Sequence, residues 1–238
     1  LQGQLDTRSE AYEIELRCDS FPLNRFLPAD SLGLLDLALQ AGGSGFDPLR
    51  AQTRGNIRLQ VDRAEFRGRD FGGVELNANL EGGQLSGRLS DRDEALRLLL
   101  LVSGTLTERK QEVRLTGNVF DFDLAELGIS PQKIGGSFAL EAGASASDAG
   151  SYTARIALDS IEVRTRHRTD RIRPTSLSLS SDTTATRAKL ASGDLSLAFV
   201  SPGPVDSLVP ALTRSADILA RQIRAQSVDM ETLKPALP

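Results

Sequence analysis

Between residues 55 and 199 the chain alternates apolar and polar residues in short runs separated by turns. Ile57, Leu59 and Val61 interleave with Arg58 and Gln60; Val74, Leu76, Ala78 and Leu80 interleave with Glu75, Asn77 and Asn79. Val113-Arg114-Leu115-Thr116 and Leu195-Ser196-Leu197-Ala198-Phe199 repeat the pattern. Successive side chains of a strand point to opposite faces, so each run has one oily and one wet face. Such a chain is restricted to a mainly β fold, and what covers the oily side decides its function. Short connections make the expected topology an antiparallel meander.

The turns carry their own chemistry. Gly82-Gly83, between Leu80 and Leu85, matches a two-residue hairpin loop, whose type I′ turn needs positive φ at both central positions. Longer polar turns are expected at Asp91-Arg92-Asp93, at residues 107–111 and at residues 148–151. Apolar parity switches from odd to even between Val61 and Ala64, which a β-bulge explains.

One helical stripe stands apart near the end: Val205, Leu208, Val209, Leu212, Ala216, Leu219, Ala220 and Ile223. Asp206 or Ser207 can cap it, and Pro210 falls in the first turn, where a missing N–H costs nothing. The amphipathic helix is expected over about residues 207–226. At about 1.5 Å per residue it is long enough to cross some six strands. Its polar face mixes Asp217 with Arg214, Arg221 and Arg224, so a core-covering role is favoured over a membrane-surface one.

A loose repeat accompanies the strands. Phe21-Pro22-Leu23-Asn24-Arg25-Phe26-Leu27, Phe120-Asp121-Phe122-Asp123-Leu124-Ala125-Glu126-Leu127 and Val228-Asp229-Met230-Glu231-Thr232-Leu233 each close a stretch of strands with a short helical turn. This divides the 238 residues into the end of a preceding repeat (1–28), a β repeat (29–128) and a second β repeat carrying the helix (129–238). Leu1 is not an initiator and the strand pattern begins at once, so a piece of a longer polypeptide is expected.

Composition narrows the function classes. Twenty-eight basic and 32 acidic residues give a net charge of -4, with no global attraction to nucleic acid. Nine Phe, two Tyr and no Trp are poor material for the aromatic girdles of a membrane barrel. The longest strongly apolar run, residues 98–102, is far below the roughly 20 residues of a spanning helix. Cys18 stands alone and forms no internal disulfide.

Catalytic constellations are weak. His167 sits among Arg164, Arg166, Arg168, Arg171 and Arg173 and reads as a solvated histidine. Asp121 and Asp123 would share a strand face, as paired glycosidase or metal-binding carboxylates do. Asp123 also precedes Leu124-Ala125-Glu126-Leu127-Gly128, where it makes a good N-cap, and that reading is favoured. Gly72-Gly73 and Gly135-Gly136 lack the strand-to-helix setting of phosphate loops. Neither a catalytic site nor a metal or cofactor is expected. Arg164, Arg166 and Arg168 would line one face of a strand, either to contact phosphate headgroups or an acidic partner, or to protect a sheet edge.

Several segments resemble the strand-then-short-helix elements of the AsmA-like and TamB-like proteins of diderm bacteria. They are residues 12–28, residues 119–128 and Ser192-Gly193-Asp194-Leu195-Ser196-Leu197. The resemblance implies a long sheet curled into an open apolar groove, a β-taco, holding lipid acyl chains. It also implies an inner-membrane anchor outside this piece, a periplasmic location, phospholipid transport or outer-membrane protein assembly, and an outer-membrane barrel partner of the Omp85 type.

The groove lining expected from the alternation is Val74, Leu76, Leu80, Leu85, Leu89, Leu96, Leu98, Val113, Leu115, Phe138, Leu140, Ile156 and Leu158. The same residues would equally fill a closed core, and periodicity leaves both open. The ordered expectations are therefore a non-enzymatic lipid conduit, then a β-sandwich binding or adhesion module for a carbohydrate or protein, then a hydrolase using Asp121 and Asp123. The second has only Tyr12 and Tyr152 as aromatic platforms beyond phenylalanine.

Overall fold

The computed structural model describes residues 2–25, 32–147 and 150–204. Alternation has its expected effect: these residues form a 15-stranded antiparallel sheet. In chain order the strands are β1 (Gln2–Asp6), β2 (Ala11–Pro22), β3 (Leu32–Ser44), β4 (Arg54–Phe66), β5 (Arg69–Phe71), β6 (Val74–Glu81), β7 (Gln84–Arg92) and β8 (Leu96–Leu106). They continue with β9 (Lys110–Asp123), β10 (Gly135–Ser147), β11 (Tyr152–Arg164), β12 (Thr169–Ile172), β13 (Thr175–Ser181), β14 (Ala185–Ser192) and β15 (Leu195–Pro202). Each strand pairs with the next in sequence, except that β5 folds back beside β4 and β12 beside β11. The sheet continues from β2 to β3 and from β9 to β10, each pair carrying a bulge.

Local chemistry sets the register. Gly82 and Gly83 adopt φ of 57° and 74° and join Glu81 to its partner Gln84, a two-residue hairpin. Arg63 pairs with Asp36 and Val61 with Leu37, leaving Asp62 as the extra residue of the bulge that the parity switch predicts. Further bulges lie in β2 before Phe21 and on both sides of β10, in β9 between Val119 and Phe122 and in β11 between Asp159 and Glu162. Gly117 is required by close approach, since a Cβ there would overlap the carbonyl oxygen of Leu99.

Helical structure is scant among the described residues. Leu23–Arg25 forms one 3-10 turn. Residues 124–127 form hydrogen-bonded turns, with Leu127 N donating to Asp123 O at 2.9 Å. Arg67 donates from Nη1 to Gly128 O at 2.9 Å, and Arg69 pairs with Glu126, tying this turn to the β4–β5 hairpin. The amphipathic helix expected near residues 207–226, and the third repeat element at residues 228–233, lie outside the described residues.

A closed core is missing among the described residues: Ala95 and Val119 are the only apolar ones buried. Ile57, Ile156 and Leu177 each remain 45% exposed although they sit mid-strand.

Candidate functional site

Directly opposed residues on antiparallel strands share a face, so the register converts alternation into rows. One row passes from Leu39 through Leu59, Leu76, Leu89, Leu100 and Gly117 to Leu140 and Leu158. A second passes from Val102 through Leu115, Ala142, Ile156, Leu177 and Leu190 to Leu197. A third links Leu80, Leu85, Gly104, Val113, Ala144, Ala154, Leu179, Ala188 and Phe199.

Toward the other strand end, Leu37, Val61 and Val74 align, as do Leu98, Val119 and Phe138. Leu96 opposes Phe122, whose ring meets that of Phe138 edge to face at 6.2 Å. All thirteen expected lining residues therefore lie on one face of the sheet. Twelve are half-buried, and Ile156 is exposed.

The opposite face is polar, with Asn56, Asn79, Ser86, Ser103 and Arg114 in one row. The residue 98–102 run breaks the rule, because Leu99 and Leu101 fall on this wet side and Leu101 is 47% exposed.

The arginine stripe needs a correction. Arg164 ends β11, Arg166 and His167 form the bend, and Arg168 begins the return toward β12, so the three line no strand face. Thr165 closes the loop: its N donates to Arg168 O at 2.8 Å, and its Oγ1 accepts from the amides of His167 and Arg168 at 3.4 and 3.3 Å. Arg164 pairs with Asp121 and reaches Glu162 at 3.9 Å; Arg168 pairs with Asp170 at 2.7 Å. Arg166 stays exposed with no carboxylate partner among the described residues.

Asp121 and Asp123 are also placed apart in role. Asp121 bridges Arg164 and Arg97, the latter at 3.3 Å. Asp123 Oδ1 accepts from the amides of Ala125 and Glu126 at 2.9 and 3.2 Å, which is a cap. Both carboxylates line one cleft of about 510 Å³ with Glu126, Lys133, Arg164 and Arg166, where Asp121 is engaged by arginines and Asp123 by backbone amides.

Charge is handled locally at the rim. Asp182 accepts from Thr184 Oγ1 and N at 2.5 and 2.7 Å and from Ala185 N at 2.9 Å, and these bonds lower its pKa to about 2. Burial pushes the Asp91 carboxyl upward. No group of three or more metal-ligating side chains occurs among the described residues, and no helix there is long and apolar enough to cross a membrane. Comparison with family models, with curated proteins and with solved structures finds no match for this chain.

Proposed function

We propose that this chain is a non-enzymatic periplasmic segment of a protein bridging inner and outer membranes, and that its apolar face carries phospholipid acyl chains. The observation behind this reading is the apolar face of one sheet, interrupted by Asp91 opposite Leu98 and by Thr175 and Ser192 beyond Leu158, in which only Ala95 and Val119, among the described apolar residues, are buried. Thirteen paired strands at about 4.8 Å make that face about 58 Å long, and alternate residues of four rows make it about 20 Å wide. One bilayer leaflet is about 15 Å of hydrocarbon, so acyl tails match this width. Soluble proteins rarely leave so large an apolar surface without a ligand. A β-sandwich module would need a second layer on the same face, and the described residues form a single sheet.

In this proposal the sheet curls about its long axis into an open groove, with close-approach glycines such as Gly117 at the bends. The inner-membrane anchor, the Omp85-type barrel partner and a share in outer-membrane protein assembly follow from the resemblance to AsmA-like and TamB-like proteins.

The test is mild organic extraction of the purified chain followed by lipid mass spectrometry, beside a closed β-sandwich of similar size. Stoichiometric phospholipid in this chain alone is the expected result. A lipid-free monomer would leave the apolar face packed on itself and end the conduit reading.

A further inference from the structure

The polar face carries a second feature that the lipid reading does not use. A cleft of about 590 Å³ crosses β9, β10, β11, β13, β14 and β15. Its walls are two rows on the wet side, and its floor is the backbone of the apolar row from Val113 to Phe199 between them.

One wall reads Arg114, Gly143, Arg155, Ser178, Lys189 and Ala198, each directly opposite the next. Cations thus alternate with small residues. Arg114, Arg155 and Lys189 stand two strands apart, about 10 Å at each step. All three are exposed and none forms an ion pair within 4 Å among the described residues, although the charge of Arg114 helps to hold the Glu112 carboxylate ionised. The other wall supplies hydroxyls from Ser145, Thr153 and Ser180, with Arg187 held 3.8 Å from Asp182. Of the two carboxylates at one end, Glu112 is engaged by Lys110 at 2.7 Å and Glu141 has no ion-pair partner among the described residues.

We propose that this trough binds a linear acidic polysaccharide with one acid group on every second sugar, laid across the strands. Two extended sugar rings span about the same 10 Å as two strand steps, so each acid meets one cation while ring hydroxyls face the serines and threonine. Nucleic acid fits poorly. Its phosphates recur about every 3.4 Å along a duplex strand, and among the described residues no aromatic side chain points into the trough for base stacking, since Phe199 contributes from the opposite face. A flat bilayer surface cannot follow the floor of a trough.

The test is calorimetric titration of the full chain with a hyaluronan hexasaccharide, which carries three carboxylates. Binding that weakens as salt rises, and that falls at least about ten-fold in the Arg114→Ser/Arg155→Ser/Lys189→Ser variant at unchanged melting temperature, is the expected result. Arg88→Ser, on the same face outside the trough, should leave affinity unchanged. Absence of binding would overturn the proposal. So would equal retention by the triple variant, or equal or tighter binding of single-stranded DNA or anionic vesicles. The lipid-extraction result bears on the other face and is independent of this outcome.

Discussion

Leu76 of β6 stands directly opposite Leu89 of β7 and Leu59 of β4, and all three stay half-buried on the same side of the sheet. They face their row neighbours, and no second sheet lies over them among the described residues. Replacing Leu76 or Leu115 by Asp should therefore cost only about 1–2 kcal/mol, because roughly half the apolar area is already wet. The same change in a closed core would cost about 4 kcal/mol or more and unfold the protein. Both variants should keep cooperative melting and lose co-purifying phospholipid. Collapse of the far-ultraviolet strand signal in both would show that these leucines belong to a closed core.

Gly83 gives a second, purely structural expectation. Its φ of 74° is disfavoured for residues with a side chain, and a Cβ would lie 2.8 Å from Leu106 O. Gly82, at φ of 57°, meets nothing within 4 Å. Gly83→Val should thus destabilise by about 2 kcal/mol or more, whereas Gly82→Asn, a residue tolerant of positive φ, should cost a few tenths. Urea midpoints of the two variants decide it, and equal midpoints would show that the hairpin does not use this turn.

Much of the strand pattern was legible because alternation, turn glycines and the parity switch at Asp62 are all short-range signals. The faces of β6 and β7 follow from period two alone, β4 needs the parity switch at Asp62 as well, and the apolar run from Leu98 to Val102 has no readable parity. The Arg164, Arg166 and Arg168 hairpin was missed because Thr165 makes the turn with a hydroxyl, and no Gly, Pro or Asn announces it. Alternating arginines look like a strand whether or not the chain reverses within them. The row of Arg114, Arg155 and Lys189 was out of reach for another reason. These residues are far apart in sequence, and only the register across β9 to β14 aligns them. A single bulge shifted by one residue would scatter them to opposite faces.

Asp123 is the acceptor for two amides at the start of the 124–127 turns, so its loss should act on stability. Asp123→Ala is expected to cost about 1 kcal/mol, and Asp123→Ser, which can still accept, should recover most of that. Equilibrium denaturation of the two variants checks this. If the Ala and Ser variants are equally destabilised, the carboxylate is held for a purpose other than capping.

The Asp182 turn sets a pH dependence whose sign follows from its hydrogen bonds. Thr184 and Ala185 donate three bonds to one carboxylate oxygen, so the folded chain favours the ionised form and lowers the pKa from 3.8 to about 2. The unfolded chain binds this proton first as pH falls. The contribution is fully present above the unfolded value of 3.8, shrinks as pH drops below it, and is gone once pH falls through about 2. Melting temperature should accordingly decline across that window. Asp182→Asn should start less stable at neutral pH and show a shallower decline, since its amide oxygen accepts without titrating. A carbon-13 titration of the Asp182 carboxyl provides the direct check: a midpoint near 3.8 would mean that the turn does not hold the carboxylate in solution.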